Sequence, residues 1–192
     1  LIVEQDRANY ERFGVGNAMA QSYNHTILPL STRLDKVTQV RWGIGDFVYR
    51  FGHAPGGLWL PEAGVDLETL GVLAEQDIKF VILAPWQADT EFLDTTQAYE
   101  VDLPGGKKIA AFFYNQDLST RVSFDPGATV NGDQFIHEGI LPKFRPANGV
   151  NGKDQLVMIA SDGELYGHHQ PFRDKFLAYV MGGAAQTYGL EV

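Results

Sequence analysis

The stretch GGLWLPEAGVDLETLGVLAEQDIKFVILA, residues 56–84, decides the fold class. It opens on a glycine turn and a short apolar run, Leu58-Trp59-Leu60, that ends at Pro61 and Glu62. Asp66 then stands where its side chain can cap the free amides of Leu67, Glu68 and Thr69, which predicts a helix start. Leu67, Leu70, Leu73 and Ala74 give that helix an apolar face. Lys79-Phe80-Val81-Ile82-Leu83-Ala84 follows as a near-continuous apolar run, the pattern of a strand covered on both faces. Strand, helix, strand in this order predicts a β/α unit.

Working outward, Leu34, Val37, Val40, Ile44, Phe47, Val48 and Phe51 fall on one helical stripe, so residues 32–51 read as an amphipathic helix. Gly43 and Gly45 cost that helix some stability. Downstream, 108–114 and 156–160 read as further buried strands and 173–185 as a final helix. Residues 115–154 break the rhythm with Pro126, Pro142, Pro146 and scattered Gly and Asn, and read as a long irregular insertion. The expected architecture is α/β with a mainly parallel sheet, a β/α barrel or an incomplete one, in a single domain over 1–192.

Bulk properties narrow the function. A net charge of −9 without clustered Lys or Arg argues against nucleic acid and anionic membranes as partners. No apolar run approaches the ~20 residues of a membrane helix. The chain has no cysteine, so disulfides and thiolate metal sites are excluded. It begins at Leu1 without an initiator Met or a leader, and is expected to be a segment whose partner is the remainder of its own parent chain, in the cytoplasm.

In a parallel β/α fold, reacting groups gather at the carboxyl ends of strands. Glu62 ends one apolar run, and Asp162 follows another within two residues. Each has a plainer reading as a surface acid or a helix cap. Yet Asp162-Gly163-Glu164-Leu165-Tyr166-Gly167-His168-His169 packs two acids, a Tyr and two His into eight residues, a density that favours function. Two carboxylates about 5–5.5 Å apart are the equipment of a retaining glycosidase, one attacking the anomeric carbon and the other moving the proton. The pattern alone does not assign the two roles. Asp117 and Arg121 read as a surface ion pair.

Four motifs carry a family resemblance. Gly16-Asn17-Ala18-Met19-Ala20-Gln21-Ser22-Tyr23-Asn24-His25-Thr26-Ile27-Leu28-Pro29-Leu30 resembles a region of glycoside hydrolase family 57. So do Gly57-Leu58-Trp59-Leu60-Pro61-Glu62 with Val65–Leu70, the run Ile78 to Pro85, and Ser161 to His169. The resemblance spans nearly the whole chain in order, and is nearest a bacterial branch with an appended domain of unknown function. It implies an irregular (β/α)7 barrel, a retaining mechanism without cofactor or metal, and an α-glucan or maltooligosaccharide substrate. The family's activities include α-amylase, 4-α-glucanotransferase and branching enzyme. By resemblance Glu62 is the nucleophile and Asp162 the acid/base, while His25, Trp59, Glu164 and His168 line the sugar site. The family's first-strand His-Gln-Pro motif is not found before Gly14, so the barrel is expected to lack its opening strand. Val15 stands where many relatives have His, and Ser161 where many have Asp.

Two other readings compete. A metal-dependent polysaccharide deacetylase or α-mannosidase-like barrel would use Asp162 with His168 or His169, but a catalytic zinc needs three convergent ligands and no further set is visible. A non-catalytic glucan-binding segment would keep the motifs without turnover.

Overall fold

A computed structural model describes residues 1–145 and 154–192. The chain forms two compact units, one of Leu1–Gln87 with Ala98–Phe112 and the other of Ala88–Gln97 with Phe113–Val192.

The first unit contains the 56–84 stretch. Strand β1 (Ala20–Gln21) pairs in parallel with β2 (Leu58–Trp59), Ala20 opposite Leu58 and Gln21 opposite Trp59. Helix α1 (Ile2–Phe13) precedes them, and helix α2 (Arg33–Phe51) lies between them in sequence. Thr32 caps α2 by accepting from the amide of Asp35, and Gly52 closes it at φ 79°. Helix α3 (Leu67–Glu75) starts where Asp66 accepts the Thr69 amide at 2.6 Å, as its capping position predicts. Gly57 then bridges Phe80 of β3 (Phe80–Leu83) in parallel, and its missing side chain matters, since a Cβ there would sit 2.4 Å from the Phe80 ring. Strand β4 (Tyr99–Asp102) and strand β5 (Lys108–Phe113) complete a three-stranded sheet in the order β3-β5-β4. The β4–β5 pair is antiparallel, from Tyr99 opposite Ala111 to Asp102 opposite Lys108, so the sheet is not uniformly parallel.

Helix α2 buries part of the stripe its apolar pattern suggests, shifted toward Lys36 and Gly43. Its buried residues are Lys36, Val40, Gly43 and Phe47, whereas Leu34 is exposed. Gly43 explains the choice. A Cβ there would come within 1.8 Å of the Gln21 carbonyl, so the helix backbone rides directly on the end of β1 and the row containing Gly43 must face inward. Lys36 is drawn into the same row, 1% exposed, and its ammonium is held by Glu68 at 2.7 Å and Asp66 at 3.1 Å. Burial alone would lower its pKa, but the bonds from Glu68 and Asp66 outweigh that and raise it. Leu28, Leu58, Leu60, Val72, Leu73 and Val81 form the fully buried centre.

A second buried charge ties α1 down. Asp6 is fully buried and accepts from the Ala18 amide at 2.8 Å, and its Oδ2 lies 2.7 Å from Nε2 of His53. The other ring nitrogen, Nδ1, is 3.0 Å from the Ala54 carbonyl. Both imidazole nitrogens therefore face acceptors, a demand that only the doubly protonated ring meets. Tyr10 stacks on that ring at 4.5 Å, and Phe47 meets it edge-on.

In the second unit, much of 115–145 is helical, where an irregular insertion was expected. Helix α4 (Gln116–Phe124) is capped by Asn115, which accepts the Leu118 amide. Helix α5 (Gly132–Gln134) runs into a π-turn, Phe135–Ile140, and a 3₁₀ turn, Leu141–Lys143. Asn131 caps α5 through the Gln134 amide, so the Asn and Gly that read as loop residues are serving helix ends. The remainder of the insertion, 146–153, lies outside the described residues. Residues 156–160 do not form the expected strand. Their backbone is instead shared out: Leu156 donates to Thr96, Met158 accepts from Asn115, and Ala160 donates to the Ser119 hydroxyl. Val157 and Ile159 pack on Leu118, Val122 and Phe135. Helix α6 (Arg173–Tyr179) continues through a π-turn, Val180–Ala184, into α7 (Ala185–Thr187). Among the described residues no helix is long and apolar enough to cross a membrane.

Candidate active site

The candidate residues fall in both units, and each unit arranges its own share. In the first, β2 ends at Trp59, a half-buried side chain, and buried Leu60 leads into the 3₁₀ turn Pro61–Ala63. Within it Glu62 has φ 54° and Ala63 φ 52°. Two successive non-glycine residues in the left-handed region cost on the order of 1–3 kcal/mol each, so the surroundings must enforce the turn. The Ala63 amide bonds to Leu60 and the Gly64 amide to Pro61, both at 2.9 Å. A side-chain amide supplies a further tie: Gln87 donates from Nε2 to the Ala63 carbonyl, while its Oε1 accepts the Ala84 amide at 2.8 Å.

The turn lifts the Glu62 carboxylate out of the core, with 68% of the side chain exposed. Its Oε1 lies 2.9 Å from Nε2 of His25, which comes from the loop after β1. Both partners are open to water, so the pair contributes at most about 1 kcal/mol to stability. What it does is fix where one carboxylate oxygen points.

In the second unit, Asp162 precedes the 3₁₀ turn Gly163–Leu165 but makes no capping bond. Its side chain is exposed and contacts no polar partner among the described residues, which removes the plain helix-cap reading. Glu164 points Oε1 at Nε2 of His169, 3.0 Å away, rather than at His168. His168 is exposed and meets His169 edge-on at 4.7 Å. The Ser161 and Tyr166 hydroxyls bond at 2.8 Å and brace the loop. Asp117 pairs with Lys143 at 2.6 Å, not with Arg121, and that bond lowers its pKa. Among the described residues no group of three His, Asp or Glu side chains is placed to hold a metal ion. Sequence reasoning missed Gln87 and the Asp6–His53 pair, neither of which belongs to a local pattern.

The α/β elements and the exposed carboxylates at chain turns do not define a class by themselves, and comparison places the chain among the glycosyl hydrolases. The pattern of Glycosyl hydrolase family 57 matches residues 9–189, and the chain belongs to that family. Alpha-amylase 1 of Dictyoglomus thermophilum is 27% identical over 150 residues, which are 73% of this chain and 19% of that protein. Among solved structures, the family 57 branching enzyme of Pyrococcus horikoshii superimposes with a TM-score of 0.77 at 19% identity, over 96% of this chain and 45% of that one. The 4-alpha-glucanotransferase of Thermococcus litoralis gives 0.63 at 18%, over 92% and 26%. The chain thus spans less than half the length of these relatives.

Proposed function

We propose that the chain is the catalytic region of a retaining glycoside hydrolase or glucanotransferase that acts on α-linked glucans, with Glu62 as nucleophile and Asp162 as acid/base. The α/β unit is read as part of an irregular (β/α)7 barrel. The observation that carries the reading is the enforced left-handed turn that presents Glu62 at a strand end, with His25 against one of its oxygens.

In the first step the Glu62 carboxylate attacks the anomeric carbon as the bond to the leaving oxygen breaks. Asp162, starting protonated, gives its proton to that oxygen. In the second step Asp162 takes a proton from water or from a sugar hydroxyl, whose oxygen attacks the anomeric carbon and releases Glu62. Two inversions leave the product with the starting α configuration. Water as acceptor gives hydrolysis, and a sugar hydroxyl gives transfer. His25, donating from Nε2, leaves the other Glu62 oxygen free to attack. Trp59 offers an apolar face for a sugar ring, and Glu164 and His168 offer polar contacts.

The test is chemical rescue in the intact protein. Glu62→Gln should lower turnover of maltooligosaccharides on the order of 10³-fold or more. Glu62→Ala supplied with azide and an aryl α-maltoside should release the phenolate and form the β-glycosyl azide. Undiminished turnover in Glu62→Gln, or restored turnover without that azide product, rules the assignment out.

A further inference from the structure

The geometry points to Gln87 as the residue that positions the Glu62 carboxylate for attack. This rests on the reading of Glu62 as nucleophile and adds a residue that no motif supplies.

The argument starts from the turn. Left to itself, a Pro-Glu-Ala segment would not place two consecutive side-chain-bearing residues at positive φ. Relaxing either residue to negative φ would rotate the Glu62 side chain away and move its Cβ. The short-range bonds of the turn, Ala63 to Leu60 and Gly64 to Pro61, are of a kind that ordinary turns also make, so they do not select the left-handed form. The Gln87 contact is different. It binds the Ala63 carbonyl, the group whose direction changes if the Glu62–Ala63 backbone relaxes.

Gln87 is itself well anchored. It lies in the 3₁₀ turn Pro85–Gln87 directly after β3, and its Oε1 holds the Ala84 amide, where that strand ends. Its own amide bonds to the Ala84 carbonyl at 3.0 Å. The carboxamide therefore forms a bridge from the end of β3 to the strained turn after β2. Gly64 seals the other side, since a Cβ there would come within 2.9 Å of Ile27, two residues from His25. A carboxamide suits the bridge because it offers a donor and an acceptor on one rigid plane. A misplacement of about 1 Å in a reacting group can cost 10²-fold in rate.

The test uses Gln87→Glu and Gln87→Leu in the intact protein beside Glu62→Gln, with rates taken per mole of folded protein. Gln87→Glu keeps the shape and the acceptor for Ala84 but loses the donor to Ala63. Both variants should lower kcat on maltooligosaccharides tenfold or more with KM changed less than threefold. The β-azide rescue of Glu62→Ala, in which azide needs no positioned carboxylate, should survive the added Gln87→Glu change. A purely structural role would instead lower that rescue along with everything else. If both variants keep kcat within threefold while Glu62→Gln is inactive, Gln87 has no positioning role. If Glu62→Gln stays active, the parent reading falls and this proposal falls with it.

Discussion

At the scale of single residues, the proposed site rests on contacts that add little to stability and much to direction. His25 and Glu62 are both open to water, so His25→Ala should leave the thermal midpoint within a few degrees. Turnover should nonetheless fall roughly 10- to 100-fold, because one carboxylate oxygen loses the partner that orients it. Steady-state rates set against a melting curve check this, and equal losses in both would refute it. Legibility at this scale was uneven. Glu62 and Asp162 stood out as candidates because each follows an apolar run, but the burial cost expected of such positions is absent, since both side chains are exposed. The left-handed turn at Glu62 and Ala63 could not be read, since neither residue favours it and the tie that enforces it comes from Gln87, distant in sequence. The pairing of Glu164 with His169 rather than His168 is set by the fold of a single turn, below what spacing resolves.

Elements were legible where their signals are local. Asp66 marks a helix start by side-chain chemistry that needs no tertiary partner, and it caps as expected; Thr32 caps α2 in the same way, although its helix was read from apolar spacing alone. The inward row of α2 was legible at Val40 and Phe47 but not at Gly43, which was judged by its propensity when its value lies in close approach to the Gln21 carbonyl. Residues 156–160 carried a strand's composition, yet their backbone bonds go to three separate places. The packing of α2 on α3 yields a contrast in stability. Asp66→Ala removes a helix cap and a partner of buried Lys36, and should cost about 3 kcal/mol or more in urea unfolding. Lys36→Met keeps the apolar stem and leaves only half-exposed carboxylates unpaired, so it should cost clearly less. The reverse order would show that the lysine's charge is a net stabiliser.

For the molecule as a whole, the Asp6–His53 pair makes stability depend on pH in a defined window. Hydrogen bonds to the Ala54 carbonyl and to Asp6 outweigh burial and hold His53 above its ordinary 6.5. Burial pushes Asp6 up, but the bonds from His53 and from the Ala18 amide overcome it and leave Asp6 below its ordinary 3.8. The His53 contribution is complete below 6.5 and is lost as pH rises through its raised value. That of Asp6 is complete above 3.8 and is lost as pH falls through its lowered value. The groups packed around the ring are otherwise aromatic, namely Tyr10, Phe47 and Phe51. The gap in thermal midpoint between the parent protein and His53→Gln should therefore be widest near pH 5 and narrow above neutrality. A gap that does not vary with pH would mean the ring is not held as its cation.

The division into two units also bears on how the chain is made. Residues 88–97 belong with the later unit, while 98–112 return to the earlier one. The polypeptide therefore changes allegiance three times, and a single cut would not separate the two bodies. During synthesis the earlier unit lacks its β4–β5 hairpin until residue 112 has emerged. The intervening loop must wait longer. Asp94, Thr96 and Gln97 find Arg145, Leu156 and Asp154 only after dozens more residues leave the ribosome. A pause between residues 112 and 145 would thus hold a nearly finished first body with an unmatched loop hanging from it.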